Sequence, residues 1–228
     1  MRIERFTNRP PETPYAPSWD FSIGDTFIPL DLDQLAKTCL EKEKEIKKLP
    51  LLYYDTAYEG GVDKGKKLFD GYTGLGKNST TSRSSYFNVL KWDTPETNLL
   101  KEKIRLNVNE YNKQLGNSTS KIIIIQCWVN ILRFGQKINT HLHQTGPHTY
   151  LSGHYCVQAE DTSTCYINPV NVINDPFIIE RKNNPGTFTI FPSYVPHYTT
   201  RHYSFKPRIT LAMDILLDKE IADNWIEL

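Results

Sequence analysis

The run Pro207-Arg208-Ile209-Thr210-Leu211-Ala212-Met213-Asp214-Ile215 decides how this chain is read. Ile209, Leu211, Met213 and Ile215 alternate with Arg208, Thr210, Ala212 and Asp214. A period of two belongs to a β-strand with one apolar and one polar face. Shorter β-rich segments precede it at 121–134, 150–158, 163–167, 177–181 and 186–191, broken by Gly, Pro and Asn. Strands joined by turns, without interleaved helices, predict an antiparallel sandwich or barrel.

Upstream the texture is helical. Asp31 to Leu49 carries Leu32, Leu35, Leu40 and Ile46 as a loose apolar stripe, and Pro50 stops it. A second helix starts at Thr94, a capping residue, followed by Pro95 in its first turn. Leu100, Ile104, Val108, Tyr111 and Leu115 repeat at helical spacing and Gly116 ends the run. Residues 1–30 are rich in proline and aromatics and read as an extended arm, with one strand near Thr26-Phe27-Ile28. Residues 55–85 read as a long loop. The expected division is one globular domain, with arm, loop and supporting helices in 1–119 and the β-rich core in 120–228.

Composition excludes several function classes. With 228 residues, 39% of them hydrophobic, the chain can bury a sizeable core and is not globally disordered. Its 27 Lys and Arg against 26 Asp and Glu create no field that would draw it to nucleic acid or an anionic membrane. The longest aliphatic run, Ile122 to Ile125, is too short to span a bilayer. Met1-Arg2-Ile3-Glu4-Arg5 opens no apolar signal region, so a cytoplasmic protein is expected. Cys39, Cys127, Cys156 and Cys165 form no C-x-x-C pair and read as buried thiols in a reducing compartment. Gly71 to Asn78 nearly spells a phosphate-binding loop, but Asn78 stands where the motif needs a hydroxyl, and Lys64-Gly65-Lys66-Lys67 stands where it needs a buried strand.

All six histidines, at 141, 143, 148, 154, 197 and 202, lie within the β-rich body. His141-Leu142-His143 is an i, i+2 pair, and on a strand both imidazoles would point to one face. His197 follows the strand-like run Gly186 to Pro192. Two ligands from one segment and a third from a later one describe a metal site with positions left open. Arg208 lies on the polar face of a core strand, where a guanidinium is costly unless an anion meets it. Its fork suits a carboxylate, and Thr210 can add a hydroxyl. The competing explanation is a structural ion pair with Asp214 or Glu180. His148 and His202 sit in turn-like contexts and read as exposed or substrate-facing.

Taken in order, Trp128, Asn130, Gly135, Asn139, His141, His143, Ser152, Gly153, Tyr155, Gly186, Phe191, Pro192, Ser193, His197, Arg208 and Thr210 resemble the pattern of the iron(II)- and 2-oxoglutarate-dependent oxygenases. The likeness is nearest to those of phage and bacterial genomes that carry H-x-H, and it covers about residues 120–216. It implies a double-stranded β-helix (a jelly roll, cupin-like) backed by helices. It implies His141 and His197 as iron ligands, and Arg208 with Thr210 holding the distal carboxylate of 2-oxoglutarate. It also implies oxygen as a reactant, and oxidation, by hydroxylation, of a small molecule or a side chain as 2-oxoglutarate becomes succinate. His143 departs from the superfamily, which places a carboxylate there. Either three neutral imidazoles bind the metal, as the spacing favours, or His143 stands behind an incomplete site.

Alternation sorts the remaining candidates. Leu151, Tyr155 and Val157 should pack on the helices, while Ser152, His154, Cys156 and Gln158 look into the barrel. Gln126, Trp128 and Asn130 likewise face inward. Many relatives have a tyrosine at the position of Cys156 to reach 2-oxoglutarate. Ser152 or His154 would replace it, Asn130 is a further candidate for the cosubstrate, and Trp128, His154 and Cys156 would face the substrate or stand behind the ligands. Residues 1–30 and 55–85 are candidates for a lid. Three other functions fit parts of this set: a cupin-like three-histidine dioxygenase, a zinc enzyme that uses no 2-oxoglutarate, and a non-catalytic jelly-roll binding module.

Overall fold

The computed structural model describes residues 1–6, 21–48, 80–81, 88–117, 122–143, 148–168, 177–216 and 225–228. In chain order these form β1 (Arg2–Phe6), β2 (Phe21–Phe27), α1 (Leu32–Ile46), β3 (Thr80–Thr81), a single 3-10 turn at Val89–Lys91 and α2 (Pro95–Gln114). The β-rich body follows as β4 (Ile124–Leu132), β5 (Thr149–Gln158), β6 (Ser163–Ile167), β7 (Ile178–Lys182), β8 (Thr187–Pro192), β9 (His197–Thr199), β10 (Arg208–Leu216) and β11 (Ile226–Glu227).

Every strand pair is antiparallel. The larger sheet runs β1-β2-β8-β5-β10-β4-β11, with β3 beside β4, and the smaller runs β7-β6-β9. Residues 208–216, as β10, lie inside the larger sheet, with β4 on one side and β5 on the other. The period of two is realised as expected. Ile209, Leu211, Met213 and Ile215 join Ile125, Cys127, Val129, Leu151 and Tyr155 in the main core, packed against Leu35, Leu100, Ile104 and Val108 of the helices. Arg208, Thr210, Ala212 and Asp214 take the opposite face. Two central strands, β4 and β10, are buried along their whole length, because helices cover one face and the smaller sheet covers the other.

The helices start where their caps dictate. Asp31 accepts the Gln34 N–H at 3.0 Å. Thr94 and Thr97 exchange side-chain-to-backbone bonds in a capping box ahead of α2. Gly116 ends α2 with φ of 75°, a left-handed conformation that favours glycine. Glu43, buried on α1, ties that helix to the sheet. It accepts two bonds from Arg133, at 2.9 and 2.6 Å, and one from Thr80 at 2.5 Å.

One expectation is corrected here. Both described ends of the N-terminal arm are strands of the main sheet, β1 paired with β2 and β2 paired with β8. The strand expected near 26–28 in fact occupies Phe21–Phe27, and Phe21 and Ile23 pack with Phe6, Tyr166 and Phe191 between the sheets. The remaining lid segments, 7–20, 55–79 and 82–85, and the loop Gly71 to Asn78 lie outside the described residues. Among the described residues no helix is long and apolar enough to cross a membrane.

Candidate functional site

The six histidines do not share one fate. His141, His143 and His197 converge: their ligand atoms lie within 4.8 Å of one another. His141 and His143 do not sit on a named strand, which corrects the basis expected for their pairing. They are held by main-chain bonds. The His141 N–H donates to the His197 carbonyl at 3.0 Å, and the His197 N–H donates back at 2.9 Å. The His143 N–H donates to Ser193 at 3.0 Å. His197 starts β9, which pairs with β6 and places Tyr166 opposite it.

Each ring has a partner for its Nδ1. His141 Nδ1 lies 2.8 Å from the Asn139 carbonyl and His197 Nδ1 lies 3.0 Å from that of Val195. His143 Nδ1 lies 2.5 Å from a carboxylate oxygen of Asp214. Each acceptor takes the Nδ1 proton, so that in the neutral ring Nε2 keeps the lone pair a metal needs. Burial, then the neighbouring His141 and His143, push the His197 imidazole well below its usual pKa, so it stays neutral at pH 7. Trp128 stacks on His143, ring centres 5.5 Å apart, and Phe191 meets His197 edge-on at 4.8 Å.

Beyond the triad the same cavity is lined by Arg208, Thr210, Asn130 and His154. Arg208 is 2% exposed and ranks among the largest fully buried side chains. Its Nη1 approaches the Thr210 hydroxyl at 3.5 Å, and its Nε has no partner. Neither Asp214 nor Glu180 pairs with it. Burial lowers the guanidinium's pKa, against the opposing pull of Cys156 and Tyr166. Asn130 Oδ1 and His154 Nδ1 are also buried without partners. A desolvated guanidinium amid unsatisfied polar atoms is the surrounding an anion would complete.

Other candidates fall elsewhere. The Ser152 hydroxyl donates to Asp214 at 3.1 Å rather than turning toward Arg208. Cys156 is buried beside Arg208, and burial pushes its thiol up to about 11. His148 is exposed as expected, whereas His202 is fully buried, with Nε2 2.8 Å from the Lys206 carbonyl, and does not line the histidine cavity. Asp214, which the sequence pattern offers only as an ion-pair partner for Arg208, stands behind the triad. The available signal was its place on the same strand face as Arg208, where a carboxylate also needs a partner. A second, larger groove, about 520 Å³, opens between Arg5, Tyr111, Tyr150 and Tyr194 and contains none of the histidines.

Residues 126–214 match the family model described as "Putative 2OG-Fe(II) oxygenase". This stretch of the β-rich body, which carries the triad, is thus similar to the iron(II)- and 2-oxoglutarate-dependent oxygenases, enzymes that use iron(II), 2-oxoglutarate and oxygen. The fold is the double-stranded β-helix of that class. A prolyl-4-hydroxylase of Pseudomonas putida superposes with a TM-score of 0.54 at 14% identity, covering 87% of this chain and 93% of its own. A Trichoplax adhaerens prolyl hydroxylase, solved with a hypoxia inducible factor peptide, gives 0.58 at 12% identity, covering 86% and 83%. AviO1 of Streptomyces viridochromogenes gives 0.51 at 11%, covering 88% and 91%. No curated protein matches the sequence.

Proposed function

We propose that His141, His143 and His197 are the iron ligands and that Arg208, with Thr210, receives the 2-oxoglutarate carboxylate remote from the metal. One observation carries this reading. A buried guanidinium without a carboxylate partner shares a cavity with three imidazoles whose Nδ1 atoms are already engaged. The donor set fits the ion: nitrogen ligands with open positions suit iron(II).

The bound ion and cosubstrate would supply oxygen activation. In overall balance, substrate, oxygen and 2-oxoglutarate give hydroxylated substrate, succinate and carbon dioxide. The chain's own residues orient and enclose. Arg208 offers a fixed fork of donors, and holding one end of the diacid directs its other end toward the histidines. Asn130 and His154 add polar contacts around the cosubstrate. Trp128 and Phe191 wall the triad with aromatic surface that excludes water. Residues 120–228 act as the catalytic body and 1–119 as its support. The substrate class is a small molecule or a peptide side chain, the latter in keeping with the neighbour solved with a peptide. Four unpaired, buried cysteines suit a reducing compartment such as the cytoplasm.

The test is anaerobic loading with iron(II) and 2-oxoglutarate, followed by oxygen and measurement of succinate. The wild type should release succinate and His141→Ala should not. Zinc in place of iron, or no succinate from the iron-loaded wild type, would overturn the reading in favour of a hydrolase or a binding module.

A further inference from the structure

We propose that Asp214 supplies, from behind His143, the negative charge that a carboxylate ligand would otherwise bring to the metal. The proposal rests on the reading of the three histidines as ligands. Three neutral imidazoles leave the full double charge of the ion uncompensated by protein. Yet the carboxylate is not missing from the site. Asp214 projects from β10 on the cavity side of the sheet, in register with Ser152 of β5 and Gln126 of β4. It is 2% exposed, and one oxygen lies 2.5 Å from His143 Nδ1. A buried carboxylate is costly unless hydrogen bonds and positive charge answer it. A cation one imidazole away answers that cost.

The arrangement does two things at once. It holds the His143 proton on Nδ1, so that Nε2 faces His141 and His197, and it makes that nitrogen a stronger donor. Ser152, which donates to the same oxygen at 3.1 Å, fixes the carboxylate's orientation. His143 and Asp214 together therefore act as one extended anionic ligand, while the Nδ1 atoms of His141 and His197 meet main-chain carbonyls, which bring no charge. Asp214 is a positioning residue: it acts through His143.

The test titrates the full-length apo-protein with cobalt(II), whose absorption reports coordination, in the wild type, Asp214→Asn, His141→Ala and the double variant His143→Asp/Asp214→Asn. Asp214→Asn keeps the shape and removes the charge, and should weaken cobalt binding by about 10- to 100-fold. The double variant moves the carboxylate into the ligand position and should regain affinity to within about threefold of the wild type. Asp214→Asn binding as tightly as the wild type would overturn the inference. So would a loss that the double variant does not recover and that follows the apo-protein's melting temperature, because Asp214 would then be structural. A wild type that binds no cobalt, or binds it no better than His141→Ala, would refute the metal centre itself. Nitrogen-15 NMR of the zinc-loaded wild type needs no variant. It should find His143 bound through Nε2 with the proton on Nδ1, and ligation through Nδ1 would sink the proposal.

Discussion

The phenol oxygen of Tyr166 lies 2.9 Å from Nε2 of His154, the two side chains meeting from opposite sheets. Burial pushes the His154 imidazole down to about 3, assisted by Arg208 and His143, and burial drives the Tyr166 phenol well above its usual range. The pair is therefore neutral in the fold. A histidine whose folded pKa is depressed stabilises the fold fully above its unfolded value, near 6.5, and loses that contribution as pH falls toward 3. Between those limits unfolding takes up a proton at His154. His154→Gln should lower the slope of stability against pH by about one proton per molecule. His197 acts with the same sign, so some slope remains. Denaturant melts from pH 4 to 7 measure it, and an unchanged slope contradicts the assignment.

Arg208→Ala should raise the 2-oxoglutarate concentration needed for half-maximal succinate release by roughly tenfold or more, the loss expected when a charge-assisted pair is removed. Cobalt(II) affinity should stay within about twofold of the wild type, because the hydrogen bond of Arg208 goes to Thr210 and not to a histidine of the triad. Arg208→Lys, which keeps the charge without the fork, should fall between. An unaltered 2-oxoglutarate requirement would remove Arg208 from the cosubstrate site.

Trp128 offers an optical reporter, since its indole stacks on His143. Binding of cobalt(II) should quench its fluorescence, and Trp128→Phe should abolish most of that quench. Trp92 is a poor alternative source because it packs against the helical core on the far face of the sheet. Quenching that persists in Trp128→Phe would place the ion elsewhere.

Glu43 makes an acid-sensitive clasp. Burial raises its pKa, but hydrogen bonds from Arg133, Thr80 and Lys47 outweigh that effect and hold the carboxyl below its ordinary value. A carboxylate of this kind stabilises the fold above its unfolded pKa, near 4.5, and the gain is lost as pH falls through the lower folded value. Glu43→Gln should cost about 2 kcal/mol at pH 7. The penalty should shrink below pH 4. Equal penalties at pH 7 and pH 3.5 would show that charge is not the reason.

Six of the eight strands of the β-rich body were legible because each carries its own signal, whereas the short β9 and β11 carry too few residues to show one. In β10 the alternation of Ile209, Leu211, Met213 and Ile215 with polar residues is complete, since one face meets helices and the other a polar cavity. Where both faces are mixed the signal fades. Phe21–Phe27 mixes Ser22, Gly24 and Asp25 with its hydrophobic residues and reads as arm, though it pairs with β8. His141 and His143 could be grouped from their spacing, but the cause of their convergence is tertiary: main-chain bonds to His197 and Ser193, far along the chain. Asp214 was visible as a polar residue on a core strand. Its partner was not, because 71 residues separate it from His143 and an arginine on the same strand face offered a more obvious one.

The reciprocal peptide bonds between His141 and His197 have a practical result. These two rings are clamped by the backbone that carries them, so their approach does not depend on an ion drawing them together. Chelation should empty such a centre without unravelling it, and reloading should proceed at the pace of diffusion and dehydration rather than of refolding.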